Sequence, residues 1–133
     1  MTLSELAVQE YTNGFNCSES IIRASNDYYD LNLHEEDMKM MAGFGSGMYT
    51  GLTCGALSAS IAALSKKIIE TKAHDQLDEI RPLSQKVVAS FNKKLGHIQC
   101  AQIKPKHYTK EHKCKETVRL AAQSLEEVLS QEL

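Results

Sequence analysis

Apolar residues recur along this chain at intervals of three and four, the period of a helix buried on one face. No strand-length alternation of Val, Ile and Thr interrupts them. The clearest stripe, Cys114, Val118, Ala121, Leu125 and Val128, predicts a last helix over 110–130 with Thr109 as its cap. Leu3, Leu6, Ala7 and Tyr11 form one face of a first helix over 3–11, stopped by Asn13-Gly14. Asn16-Cys17-Ser18-Glu19 reads as a capping box: the Asn side chain accepts from the third-residue N–H and the Glu reaches back. It opens a second helix with Cys17, Ile21, Ala24 and Tyr28 on its stripe.

A short third helix over 34–42 is expected to bury Met38 and Met41, followed by a glycine-rich loop over 43–51. Thr53 can cap a fourth helix whose stripe is Cys54, Leu57, Ile61, Leu64 and Ile68. Its run Gly55-Ala56-Leu57-Ser58-Ala59-Ser60 has small side chains that let a neighbour approach closely, which predicts the central helix of the fold. The polar segment 66–81 gives no clear element. Pro82 favours a helix start, because its missing N–H costs nothing in the first turn. Ser84, Val87, Val88, Phe91 and Leu95 then make one face, and Gly96 ends it. The segment 96–110, with His97, Cys100, Pro105 and His107, reads as a loop. The expectation is one all-α domain over 1–133, a bundle of five or six helices around a small-residue-rich centre.

Composition narrows the function. Hydrophobic residues make up 42% of the 133, ordinary for a globular chain, and a net charge of −2 gives no footprint for nucleic acid. No run approaches the roughly 20 apolar residues that span a bilayer. Met1-Thr2-Leu3-Ser4-Glu5 has neither a basic n-region nor an apolar h-region, so no signal peptide is expected and the chain should be cytoplasmic. Thiols there are kept reduced, and four cysteines point to catalysis, redox sensing or metal binding rather than to structural staples.

Cys17, Cys54 and Cys114 lie on apolar stripes and should face the bundle interior. Cys100 sits in the loop leading to the last helix, close enough in sequence to fold back beside Cys114. Cys17 follows the cap Asn16 and Cys54 follows the cap Thr53, so both should occupy first helical positions, where free N–H groups and the helix dipole favour a thiolate. Cys17 or Cys54 is therefore the expected low-pKa attacking thiol, with Cys100 and Cys114 as a second pair; the pairing itself stays open.

Other readings use the same residues. A buried free cysteine also packs as a small hydrophobe, which leaves a structural helical module, open to homodimerisation. Four thiolates from Cys17, Cys54, Cys100 and Cys114 could hold an iron–sulfur cluster, although the spacing is unlike the tight runs of ferredoxins. His97, Cys100, His112 and Cys114 offer a zinc set, without CxxC or finger spacing. Gly43, Gly45 and Gly47 alternate without a preceding strand, so they suit a tight turn near the cysteines better than phosphate binding. Lys104, Lys106, Lys110, Lys113 and Lys115 form a solvated basic cluster that could lower nearby thiol pKa values or attract an anionic partner. Met38, Met40, Met41 and Met48 are read as packing.

These segments together resemble the four-cysteine family of redox-active proteins named for its C_GCAxxG_C_C pattern. The resemblance rests on Asn16-Cys17-Ser18-Glu19-Ser20, on 43–64 with Cys54-Gly55-Ala56-Leu57-Ser58-Ala59, on Cys100 after Leu95-Gly96, and on His112-Lys113-Cys114. It covers nearly the whole chain. The family's last glycine of the GCAxxG run is Ala59 here, a methyl group at a helix contact. The resemblance implies a redox theme without naming a reaction. Family members are often encoded near transporters, which implies an unknown redox protein or a transporter-associated partner.

Overall fold

A computed structural model describes residues 1–132, and every described element is helical apart from two isolated bridges. The order is α1 (Leu3–Thr12), α2 (Cys17–Tyr29), α3 (Glu35–Met38) running into a 3₁₀ turn (Lys39–Phe44), a wide turn (Gly47–Gly51), α4 (Gly55–Ile68), a second 3₁₀ turn (Ala73–Gln76), α5 (Leu77–Leu95), α6 (Cys100–His107) and α7 (Lys115–Glu132). The helix α4 is central, as its small residues predict: it packs against α2, α5 and α7, while α1 closes the bundle against α2 and α7. Ala56, Ala59 and Ala63 on α4 are fully buried and let these neighbours close in. Ile21, Leu64, Val87, Phe91, Val118 and Leu125 fill the core between them. Each such side chain contributes about 1.5–3 kcal/mol relative to exposure.

Local chemistry fixes the starts. Thr2 caps α1 by accepting from the Glu5 N–H at 3.1 Å. The Asn16 box at α2 forms as expected, with Asn16 Oδ1 accepting from Glu19 N–H and Glu19 accepting from Asn16 N–H. Met38 and Met41 are buried as expected, but the helix tightens into 3₁₀ geometry at Lys39. On α2 it is Tyr29 that is buried, whereas Tyr28 turns outward and donates to Glu126.

Seven α-helices among the described residues exceed the expected five or six, because the segment 96–110 is not simply a loop: it contains α6. Helix α5 starts at Leu77, not at Pro82. Asp78 and Glu79 suit the positive end of the helix, and Ile80 packs, partly buried, against the core, so an earlier start gains burial. Pro82 lies on the exposed face and leaves only the Asp78 carbonyl without a helical donor. Helix α7 starts at Lys115 rather than at 110. Thr109 caps a turn instead: its hydroxyl accepts from His112 N–H, and Thr109 and Lys113 exchange backbone hydrogen bonds. No described helix is long and apolar enough to cross a membrane.

Candidate functional site

The bundle brings its helix starts together. Cys17 is the first residue of α2, Cys54 is the N-cap of α4, Cys100 is the first residue of α6, and Cys114 immediately precedes α7. All four line one nearly enclosed cavity of about 20 Å³, with Ser46, Ile103, Lys104 and Thr117 completing the wall. The sequence placed two cysteines at helix starts; the fold places all four there. Thr53 does not cap α4, because it pairs with Gln99 in an isolated antiparallel bridge. Around that bridge Cys54 N–H donates to Ile98 O at 2.8 Å and Cys100 N–H donates to Leu52 O at 2.7 Å. These two bonds pin Cys54 and Cys100 on the same side of the paired segments, deep in the wall.

Glycine makes room for this convergence. A Cβ on Gly55 would collide with the Phe44 carbonyl oxygen and sit 2.9 Å from Cys17 Sγ, so only glycine lets α4 begin beside Cys17. A Cβ on Gly45 would collide with Asn16 Nδ2. Asn16 is more than a cap: its Nδ2 donates to Ala42 O at 3.0 Å and to Tyr49 Oη at 3.2 Å. It thereby ties the start of α2 to the segment covering the thiols. That segment is strained, with Ser46, Met48 and Tyr49 all in the left-handed region at φ of 51°, 59° and 56°.

A second, open cleft of about 400 Å³ lies outside the cavity, walled by Tyr11, Phe15, Asn16, Ser46, Tyr49 and Lys113. Cys17 and Cys114 line both the cleft and the cavity, whereas Cys54 and Cys100 line only the cavity. The four thiols therefore form an outer pair and an inner pair. Cys114 is the least buried of the four.

Burial decides the protonation states. It pushes the Cys54 thiol up to about 12, and a neighbouring Cys17 thiolate would push it further; the N–H groups of Ala56 and Leu57 oppose this. Cys17 is also raised by burial, against the pull of the Ser46 and Ser18 N–H groups. Cys114 is raised by burial and by Cys17, with Lys104 and the Tyr11 hydroxyl drawing it back down. The expected low-pKa thiol at Cys17 or Cys54 is thus not found, because desolvation outweighs the helix starts. Each thiolate disfavours the next, so the cluster carries one negative charge more readily than two.

In the sequence Tyr11 is only part of an apolar face. In the fold its hydroxyl accepts from Cys114 N–H at 3.0 Å and lies in the cleft wall. Among the expected lysines, Lys104 reaches the cavity and Lys113 reaches the cleft. Among the described residues no three or more His, Cys, Asp or Glu side chains are placed to hold a metal ion, so the His97, Cys100, His112, Cys114 set is not gathered for zinc. The space between the four thiols is about that of one water molecule.

A family model described as "Putative redox-active protein (C_GCAxxG_C_C)" matches residues 15–128. No curated protein and no solved structure matches the chain.

Proposed function

Because the chain belongs to the C_GCAxxG_C_C family of redox-active proteins, we propose that it performs thiol–disulfide exchange, with Cys17 and Cys114 as the outer pair and Cys54 and Cys100 as an inner reserve. The observation that carries this reading is the single small cavity lined by all four cysteines, two of which also face an open cleft. Cys114 attacks first. It is the least buried thiol, and Lys104 and Tyr11 favour its thiolate. Its sulfur bonds to one sulfur of a substrate disulfide, and the first substrate thiol leaves with a proton. Cys17 then attacks Cys114 and releases the second thiol. Two electrons and two protons pass to the substrate, and the outer dithiol becomes a disulfide.

The inner dithiol can regenerate the outer one by the same exchange, leaving a Cys54–Cys100 disulfide and a reduced Cys17 and Cys114. The protein would then hold up to four electrons in two steps. This differs from the pairing expected from sequence, in which Cys100 joined Cys114, because access to the cleft now separates the cysteines. The chemistry requires a compartment such as the cytoplasm in which the thiols rest reduced.

Stepwise oxidation of the reduced protein with free-thiol counting tests the reading. The count should fall from four to two to zero, return with dithiothreitol, and leave the chain monomeric by non-reducing electrophoresis. Four free thiols under both oxidising and reducing conditions would overturn it. A stoichiometric metal released only when the thiols are blocked would instead favour the metal-binding alternative.

A further inference from the structure

Two open spaces share one wall residue, Lys113, the neighbour of Cys114 in sequence. The first is the cleft of about 400 Å³ with Cys17 and Cys114 in its wall. The second, of about 260 Å³, is lined by His107, Thr109, His112, Lys113, Lys115 and Glu116. The Lys113 backbone is fixed by the paired hydrogen bonds with Thr109. The first space has the dimensions of a small-molecule site with nucleophilic sulfur in its wall, and the second adds cations on the other side of Lys113.

The acidic side chains along these walls are already engaged. Glu19 accepts from Asn16 N–H, and Glu116 is held by Arg119. Glu111, beside the second space, faces His112 at 3.8 Å. Neither Lys113 nor Lys115 has an ion-pair partner among the described residues. Next to the outer thiols Lys113 and Lys115 thus carry charge that no described ion pair takes up, while Glu19, on the Asn16 side of the cleft, keeps its own negative charge, in a chain that is net negative at −2.

Resting on the thiol–disulfide reading above, we propose that the substrate is a small disulfide bearing carboxylate or other acidic groups, its sulfurs over Cys114 and Cys17 and its anionic arms against Lys113 and Lys115. The exchange follows the two steps already given: the substrate S–S bond breaks, two substrate thiols leave protonated, and the Cys17–Cys114 disulfide forms. The acidic arms bind without reacting. They hold the disulfide over Cys114 and add no step of their own.

Three disulfides of similar size test this: bis(2-carboxyethyl) disulfide, bis(2-hydroxyethyl) disulfide and cystamine, which carry negative, no and positive charge. Each oxidation rate of the reduced protein is divided by the rate of the same disulfide with free 2-mercaptoethanol, which removes differences in leaving group. At low salt the normalised rate should be about tenfold higher for the dicarboxylate than for the neutral disulfide, and lowest for cystamine, with the spread shrinking as salt rises. Lys113→Gln with Lys115→Gln should abolish the spread, while Lys93→Gln on α5 should keep it. Equal normalised rates for the three disulfides, or a spread that survives the double substitution, would overturn the substrate assignment and leave thiol exchange standing. No reaction with any of them would bring down the exchange reading itself.

Discussion

Replacing Gly55 with alanine adds one methyl group where α4 begins beside Cys17. The new Cβ would collide with the Phe44 carbonyl oxygen and lie 2.9 Å from Cys17 Sγ. Neither neighbour yields easily. The Phe44 carbonyl is backbone at the end of a 3₁₀ turn, and Cys17 is 8% exposed at the first position of α2. The gain from removing glycine near a helix start is at most about 1 kcal/mol. Overpacking against backbone costs about 1–3 kcal/mol. The net is a loss of about 1–2 kcal/mol, which lowers the melting temperature of a chain of this size by roughly 3–8 °C. Urea unfolding of the reduced protein measures it. Gly43→Ala is the matched control, since a Cβ there meets nothing within 4 Å and its φ is not left-handed. The displaced Cys17 should also disturb the outer pair, so disulfide formation in Gly55→Ala should slow. A variant as stable as Gly43→Ala, with unchanged oxidation, would refute the close approach of α4 to Cys17.

Other outcomes follow from the same geometry. The Cys54 thiol rises from 9.0 to about 12 in the fold, so the native state keeps a proton that the unfolded chain surrenders above pH 9. Stability from this group is intact below pH 9 and is lost between pH 9 and 12, by about 4 kcal/mol in all. Denaturation midpoints of Cys54→Ala should therefore fall less steeply with pH in that window than those of the wild type. Tyr11→Phe removes the acceptor of Cys114 N–H and the hydroxyl that favours its thiolate. It should cost about 1 kcal/mol and move the pH profile of Cys114 alkylation upward, which mass spectrometry of labelled peptides reads. Met48 is left-handed and 44% exposed, so Met48→Gly should relieve more backbone strain than the packing it gives up and stabilise the reduced protein by about 0.5 kcal/mol in thermal unfolding. Asn16→Ala breaks the cap of α2 and the links to Ala42 and Tyr49, and should cost about 2 kcal/mol by urea titration.

The helices with strong stripes were legible because the same residues satisfy local propensity and the core. The Val118–Leu125 face and the buried alanines of α4 express the helical period, and the Asn16 box marks where a helix begins. What failed was legibility at ends set by tertiary contacts. Pro82 is a sound start signal on its own, but the packing of the partly buried Ile80 against the core recruits the turn before it. Thr109 looks like a cap and becomes one, for a turn closed by Lys113 rather than for a helix.

The cysteines were visible as a set, and the spacing suggested two helix starts. The other two starts are those of α6 and α7: α6 opens beside the Thr53–Gln99 bridge, which joins segments 46 positions apart and leaves no local mark, and α7 opens behind the Thr109–Lys113 turn. Tyr11 and Cys114 are 103 positions apart, so no pattern in the sequence could pair them. The protonation states escape the sequence for a related reason. A helix start is readable in sequence, whereas the desolvation that overrides it comes from packing.

In the proposed exchange an outer pair is reached through the cleft and an inner pair is shielded behind it. Peptide mapping under non-reducing conditions, on protein stopped when two thiols remain, tests that arrangement most directly. It should find Cys17 joined to Cys114 within one chain, with Cys54 and Cys100 still free. A map in which Cys54 or Cys100 is bridged while Cys114 remains a thiol, or in which the bridges run between chains, would contradict it.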